Sequence, residues 1–338
     1  MVGGVWADPL MAIERQHVMQ LLRLVGAPLL LAAVVWLAGP QAVLAAVRGA
    51  DVGWLLLGLL SATAGNTSSS LRWSELARWL GHRVRARWAI AVYFRGVAIN
   101  ALLPGAVLGG DMFRAWQLHR DGCPMGAASL SVVLDRLSGL WILFALGALA
   151  LFAGMGTAEM EILRARLHIP KAWSTAVIAA GLLGTVLLLP LLVLSTLAGV
   201  AGYGARAGGR RATAVELLRR PNSFEQYQRQ AAASLVVQAF AVGALYCAGR
   251  AFGVVLPWWV VAFTAGPIFL FAALPVSFGG WGTREVATVT AWSTFGIAPP
   301  LAVAAAAAFG VYALAQSVLA WLPMPAATPA NAPTPELP

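Results

Sequence analysis

Long apolar runs dominate the chain, and short polar segments separate them. Runs of about 18 residues or more are long enough to cross the roughly 30 Å core of a bilayer as helices. One run reads LLRLVGAPLLLAAVVWLAG and another reads AWSTAVIAAGLLGTVLLLPLLVLSTLAG. By apolar length the pattern predicts six full spans, near 21–38, 54–71, 126–153, 174–199, 231–250 and 301–322. The predicted fold class is therefore an all-α polytopic membrane protein.

Two further apolar stretches, 88–124 and 255–297, are interrupted by the same arrangement of residues. LPGAVLGGDMFR and LPVSFGGWGTR each read Leu-Pro, a gap, Gly-Gly, three residues and arginine. Irregular backbone at membrane depth is tolerated only inside protein or beside a cavity, and paired breaks are typical of inverted-repeat transporters. We predict two re-entrant elements in an inverted repeat, with breaks at Pro104, Gly109, Gly110, Pro275, Gly279, Gly280 and Gly282. The alternative is two unrelated loops that share proline and glycine by chance.

Both breaks are expected to serve the same purpose. The glycines would permit a tight turn, and the half-helix that follows would present free N–H groups and its positive dipole end to an anion. Arg114 and Arg284 each lie four residues after the second glycine. We therefore expect both arginines in the first turn of a half-helix, converging on one cavity.

Arginine-rich loops set the predicted orientation. Residues 72–87 carry five arginines and residues 204–229 carry six. Such loops lie on the cytoplasmic side, and both reach that side only if 88–124 enters the membrane and returns. We predict a multi-pass protein of the bacterial cytoplasmic (inner) membrane with both termini in the cytoplasm. The assignment to bacteria rests on the arginine bias, which is typical of a GC-rich genome.

The pattern predicts one transmembrane domain and no soluble domain. Residues 1–20 are expected to form an N-terminal cytoplasmic segment, residues 21–322 the transmembrane domain, and the Pro/Ala-rich residues 323–338 a disordered tail. A cleaved signal peptide is the alternative interpretation of the first apolar run. The length of that run and the spans that follow it favour an uncleaved first span.

The composition narrows the choice of partners. Hydrophobic residues make up 60% and charged residues 11% of the chain, and the net charge is +10. Because Lys171 is the only lysine, this charge comes from arginine, and in a membrane protein it indicates basic loops beside anionic lipid rather than nucleic acid. Cys123 and Cys247 are isolated, and the four histidines are scattered. We predict no metal site and no cofactor.

Several charged residues lie inside apolar segments, where each costs roughly 2.5–3.5 kcal/mol if it faces lipid. We predict that they pair with one another or line a wet cavity, and that they bind substrate together with a nearby amide. The candidates are Arg95, Asn100, Asp111, Arg114, Asp135, Arg136, Arg284 and Glu285. Four of these are basic and three acidic, so one positive charge remains for an anionic headgroup, which guanidinium groups bind bidentately.

Three charged residues, Asp135, Arg136 and Arg72, have plainer interpretations. The pair Asp135 and Arg136 is consistent with a structural tie between two helices. Arg72, beside Trp73, is expected to be an anchor at the membrane interface, with its charged end extended toward water. The sequon at Asn66 lies at a predicted span end, and we do not expect it to be glycosylated.

The segments NALLPGAVLGGDMFRAWQLHRDG, VVLDRLSGL and LPVSFGGWGTREVA, in this order, resemble the transmembrane region of the lysylphosphatidylglycerol synthases. The resemblance covers roughly 20–322 and includes every break and every candidate residue named above. It implies a flippase that moves a lipid between leaflets, as this region does for aminoacylated phosphatidylglycerol in the two-function synthases. The soluble synthase domain is not in this sequence, so the resemblance implies transport without lipid synthesis and leaves the substrate open.

The sequence leaves three functions open. The first is a transporter of a phospholipid, a glycolipid or a polyprenyl-phosphate lipid. The second is a membrane-embedded enzyme such as a polyprenyl-linked glycosyltransferase, which needs acidic residues as base or metal ligands. The third is a non-catalytic partner subunit. Each candidate acid lies beside or three residues from an arginine, which favours transport. A lipid-modifying enzyme as partner and a homo-oligomer are both compatible with the sequence.

The predicted orientation is testable by cysteine accessibility. Single cysteines near Arg85 and Arg211 should both react with a membrane-impermeant reagent only from the cytoplasmic side, because both loops are arginine-rich. Reaction of the two positions from opposite sides would remove the reason for a re-entrant element at 88–124.

Overall fold

The computed structural model describes residues 29, 31–102, 108–170, 172–188, 222–274 and 279–321, and within these ranges the protein is helical with no strand. A 3₁₀ segment, Ser317–Trp321, follows the last helix directly. The helices are α1 Leu31–Ala38, α2 Pro40–Arg48, α3 Val52–Trp79, α4 Ala86–Leu102, α5 Gly109–Arg120, α6 Met125–Ala153, α7 Ala158–Arg166, α8 Thr175–Leu188, α9 Ser223–Ala251, α10 Trp258–Ala272, α11 Thr283–Ser293 and α12 Pro299–Gln316.

Three helical units in the described ranges are long and apolar enough to cross a membrane: α6, α9, and α12 with its 3₁₀ extension. The pair α1 and α2 makes a fourth only if its 88° bend falls within one span. Gly39, with φ of 89°, and Pro40 form this bend. The membrane-spanning all-α class is therefore confirmed, while the count of six spans stays a prediction.

Two further helices, α3 and α8, correspond to the spans predicted at 54–71 and 174–199. Helix α3 has 28 residues and covers the predicted span at 54–71, but polar residues from Asn66 onward dilute its apolar character. Helix α8 begins within the span predicted at 174–199 and is described as far as Leu188. The short helix α7 between α6 and α8 was not predicted, and Thr157 caps it by accepting a hydrogen bond from Met160 N.

The most extensive contact between helices joins α3 and α9. Small residues permit it: a Cβ on Gly65 would lie 3.2 Å from Phe240 Cβ, and a Cβ on Gly243 would lie 3.1 Å from Ser61 Oγ. Ser61 Oγ also donates a hydrogen bond of 2.8 Å to the Phe240 carbonyl. Close backbone approach and interhelical hydrogen bonds are the main sources of helix association in a bilayer, so α3 and α9 form a firm pair.

Helix α12 is the hub of the second half of the bundle. It contacts α2, α3, α4, α9 and α11, and its alanine-rich sequence buries a continuous row of small side chains. On α11, Trp292 is fully buried, and its Nε1 donates to Thr264 Oγ1 on α10 at 3.2 Å. Packing of this kind fixes α10, α11 and α12 relative to one another.

Both interrupted stretches consist of two short helices in contact: α4 with α5, and α10 with α11. Residues 103–107 and 275–278, which include the predicted breaks at Pro104 and Pro275, lie outside the described residues. Near the second break, Gly279, Gly280 and Gly282 all have positive φ, so this turn requires glycine. At the first break, Gly109 and Gly110 are instead the first two residues of α5.

Gly110 is required for close packing rather than for a turn. A Cβ at this position would collide with the Gly96 carbonyl oxygen on α4 and would lie 2.8 Å from Asn100 Nδ2. The expectation that glycine plays one role in both breaks is therefore wrong. The same Gly-Gly pair permits helix contact at the first break and unusual backbone angles at the second.

The two interrupted stretches also touch each other. A Cβ on Gly279 would lie 3.0 Å from the Asn100 carbonyl oxygen and 3.8 Å from Ala101 Cα. The end of α4 therefore meets the residues that precede α11. Re-entrant insertion and inverted symmetry stay predictions, and this contact is the geometry from which a shared site arises.

The packing role of Gly110 leads to a stability prediction. Gly110→Ala should lower the free energy of unfolding by about 1–3 kcal/mol, because the added methyl group must push α4 and α5 apart. Thermal unfolding in detergent measures the effect. Gly126→Ala is the matched control, since no atom lies within 4 Å of a Cβ there. Equal melting temperatures for the two variants would contradict the packing role.

Candidate functional site

Asp135 on α6 binds two arginines inside the protein. Its Oδ1 accepts hydrogen bonds from Arg72 Nε at 3.0 Å and Arg72 Nη2 at 2.8 Å, and its Oδ2 accepts one from Arg114 Nη1 at 2.9 Å. The three side chains are almost fully buried. One carboxylate therefore joins α3, α5 and α6.

A second carboxylate extends this cluster to a partly exposed arginine. Asp111 accepts hydrogen bonds from Arg114 Nη2 at 2.8 Å and from Arg136 Nε at 2.8 Å and Nη2 at 2.9 Å. Arg114 also stacks on Tyr93, with its Cζ 4.6 Å from the ring centroid. The chain Arg72, Asp135, Arg114, Asp111, Arg136 holds three positive and two negative charges. It is buried at one end and open at the other, where the Arg136 side chain is 53% exposed.

Helix geometry explains how the sequence produces this cluster. Asp111 and Arg114 are three residues apart on α5 and therefore share one face. Asp135 and Arg136 are adjacent on α6, so their side chains leave the helix about 100° apart. This separation sends Asp135 toward Arg72 and Arg136 toward Asp111.

Arg72 is not the interface anchor that the sequence suggested. Its side chain is buried, bound to Asp135, and also donates from Nη1 to Ser234 Oγ on α9 at 2.8 Å. The signal was present in the sequence, because Ser69, Ser70 and Ser74 surround it in α3. A polar face of that kind indicates contact with other helices rather than with lipid.

The second charged group is a pair at the start of α11. Arg284 Nη2 donates to Glu285 Oε1 at 2.8 Å, and both residues are buried. The Arg284 guanidinium lies 5.1 Å from the Trp281 ring centroid, and its Nε has no hydrogen-bond partner among the described residues. Gly310 on α12 leaves room for this stack, since a Cβ there would lie 2.8 Å from Trp281 Cζ2.

Both groups border one cavity of about 290 Å³. Arg114 and Arg136 reach it from α5 and α6, and Arg284 reaches it from α11. Asp111 is the acidic residue among the described lining residues, so the wall carries two net positive charges. Neutral polar residues, Asn66, Tyr93 and Asn100, complete the polar part of the lining. The cavity therefore lies between the two interrupted stretches and is suited to an anion.

The N-termini of the two half-helices are not free in the way that the sequence suggested. Asn100 Oδ1 accepts from Gly110 N at 2.8 Å, and Glu285 Oε2 accepts from Gly282 N at 2.5 Å. Side chains of the protein thus occupy one N–H group at the start of each helix. The guanidinium groups are left as the principal donors to a bound anion.

The structure brings together most of the predicted site residues but not all of them. Asp135 and Glu285 lie behind the cavity and hold Arg114 and Arg284. Arg95 is elsewhere: its Nε donates to the Ala320 carbonyl at 3.1 Å, and it is not among the lining residues.

The positions of the two converging arginines also differ from expectation. Arg284 is in the first turn of α11, as expected, whereas Arg114 is the sixth residue of α5 and lies in its second turn. Two further contributors, Asn66 and Tyr93, were not predicted as site residues. In the described ranges no three His, Cys, Asp or Glu side chains are grouped to hold a metal ion.

The Asp135 bridge leads to a second stability prediction. Asp135→Asn should lower stability by about 3–5 kcal/mol, because Arg72 and Arg114 would lose their shared buried carboxylate. Glu225→Gln is the control, since the Glu225–Arg229 pair is exposed and contributes little. A melting temperature in detergent that is as high for Asp135→Asn as for Glu225→Gln would show that the bridge is not structural.

Comparison with known proteins agrees with the membrane location of this site. A search of curated proteins found no match. A protein-family model described as Lysylphosphatidylglycerol synthase TM region matches residues 20–320, which include both charged groups and the whole cavity wall. The chain therefore belongs to the family of the lysylphosphatidylglycerol synthase transmembrane region.

Proposed function

We propose that the protein is a lipid flippase whose cavity binds the anionic, phosphate-bearing headgroup of a membrane lipid and carries it between leaflets. The observation that supports this most directly is the convergence of Arg114, Arg136 and Arg284 on one cavity. These three arginines come from three helices: Arg114 and Arg284 belong to the two interrupted stretches, and Arg136 belongs to α6. Guanidinium groups are well matched to phosphate because they offer paired N–H donors in one plane.

The charge balance supports a singly charged headgroup. The two charged groups together contain four arginines and three carboxylates, which leaves one positive charge without a counterion. A phosphodiester would supply one negative charge and balance this excess. Arg284 lines the cavity, and its Nε has no partner among the described residues, so the guanidinium has an unsatisfied donor that an anion would compensate.

The family supports a lipid substrate. Its description names a lipid synthase and the transmembrane region of that protein. Membership therefore indicates a membrane protein of lipid or cell-envelope metabolism. The step from that class to transport is our proposal and rests on the cavity.

The carboxylates favour transport over catalysis. A general base or metal ligand needs an oxygen lone pair that faces the reacting group. Asp111, Asp135 and Glu285 each accept hydrogen bonds from arginine instead. In this arrangement they position guanidinium groups, and the enzyme hypothesis has no comparable support.

Conservative substitution of the arginines tests the proposal. Arg114→Lys and Arg284→Lys should each lower the rate of lipid movement at least tenfold, because lysine keeps the charge but loses the planar pair of donors. Arg114→Ala and Arg284→Ala should lower it further. The measurement is movement of fluorescent phosphatidylglycerol between leaflets of proteoliposomes, normalised to folded protein by gel filtration.

Arg229→Lys is the control variant, because Arg229 is exposed, pairs with Glu225 and is not among the residues that line the cavity. It should transport at the wild-type rate. If Arg114→Lys and Arg284→Lys also transport at that rate, the arginines are structural. If the wild-type protein moves no phosphate-bearing lipid, the proposed function itself is wrong.

A further inference from the structure

A second cavity of about 130 Å³ lies beside the charged one. Residues of helices α3, α9 and α12 line it. Asn66, Phe309 and Ala313 line both cavities, so the two cavities adjoin at these residues. The second cavity is therefore a direct neighbour of the cavity that the arginines line.

The two cavities have opposite chemical character. The described residues that line the second cavity include no charged side chain, and many are small, such as Ala62, Gly65 and Ala241. A headgroup held by three arginines is bound strongly, and conduction through a pore requires sites that are also weak enough to release their ligand. An uncharged compartment next to a charged one provides such a site.

A hydrogen bond between two amide side chains crosses this boundary. Asn66 Nδ2 on α3 donates to Gln316 Oε1 at the end of α12. Asn66 lines both cavities, whereas Gln316 lines the second alone. Gln316 is almost fully buried, and its Nε2 has no partner among the described residues. A buried unpaired donor is unfavourable, so a ligand oxygen that accepts from Gln316 Nε2 would satisfy it, and opening of the amide pair would free Asn66 Nδ2 as a second donor.

The segment that follows Gln316 is held against α4. The 3₁₀ segment that begins at Ser317 packs along α4, and Arg95 on α4 donates to the Ala320 carbonyl at 3.1 Å. Helix α4 also supplies Asn100 and Tyr93 to the charged cavity. Movement of α4 would therefore act on both the arginine site and the amide pair. Its hydrogen bond to the Ala320 carbonyl gives Arg95 a structural role, because it ties α4 to the 3₁₀ segment.

We infer that the second cavity is the continuation of the headgroup route, and that the Asn66–Gln316 pair is the gate between the charged and uncharged compartments. This inference rests on the proposed function. The ligand is the same phosphate-bearing headgroup, which passes from three arginines into a compartment that offers neutral hydrogen-bonding groups only.

Filling the second cavity tests the route. Ala241→Phe should lower phosphatidylglycerol transport at least tenfold, because Ala241 lines the second cavity and not the first. Binding of short-chain phosphatidylglycerol, measured by the rise in melting temperature, should stay within twofold of wild type. Ala239→Phe is the matched control, two residues along the same helix and exposed, and should transport normally. Wild-type transport by Ala241→Phe would overturn the route.

Locking the boundary tests the gate. In the double variant Asn66→His, Gln316→His, two imidazoles replace the paired amides and can share a Zn²⁺ ion. Micromolar Zn²⁺ should reduce transport at least tenfold, and a chelator should restore it. Zn²⁺ should not change transport by either single variant or by the wild type. Zinc-insensitive transport by the double variant would overturn the gate, even if Ala241→Phe is inactive.

The two experiments are independent, so a variant that fails to fold leaves the other to decide. Absence of phosphatidylglycerol transport by the wild-type protein would reject the proposed function. If the wild type transports normally, wild-type transport by Ala241→Phe rejects only the second compartment. Zinc-insensitive transport by the double variant rejects only the gate.

Discussion

Asp135 places one carboxylate between Arg72 and Arg114 in the interior of the protein, where Arg72 would otherwise be a buried charge without an acidic partner. Removing such a charge from water costs several kcal/mol, and only close, well-aligned partners offset the cost. Because Arg72, Arg114 and Asp135 come from α3, α5 and α6, these helices must pack in one arrangement for all three groups to be satisfied. The requirement for charge compensation thereby determines where α5 lies against the rest of the bundle.

The same cluster links stability with the candidate function. Asp111 continues the alternation of charges from the buried Arg114 to the exposed Arg136, and the alternation ends on a positive group. The excess charge falls at the cavity, where Arg284 adds a guanidinium from the other interrupted stretch. A fully neutral cluster would be more stable alone, but it would have less attraction for a phosphate group. The arrangement is consistent with a site whose charge is completed by its ligand.

The two interrupted stretches show that similar sequences solve different physical problems. Gly110 is inside a helix and removes the methyl group that would strike the Gly96 carbonyl. Gly280, in the matching position, has φ of 80° and belongs to the turn before α11. Arg114 and Arg284 nevertheless reach the same cavity, from different turns of their helices. Convergence on the site is shared, while the backbone that produces it is not.

The sequence alone determined the helical membrane class, the family, and most of the charged residues that surround the cavity. These features depend on the length of apolar runs and on local motifs, which are properties of neighbouring residues. Asp111 and Arg114 were recognisable for the same reason, since a three-residue spacing on a helix already places them on one face.

Only the tertiary structure decided which partners the long side chains found. Arg72 binds Asp135 across 63 positions of the chain, and Asn66 binds Gln316 across 250. Arg95, expected at the substrate site, binds a carbonyl at the end of the bundle instead. Hydropathy shows that a charge in a membrane helix needs a partner, but the partner is chosen by which helix faces pack together. That choice depends on the summed contacts of the whole bundle, which no local pattern contains.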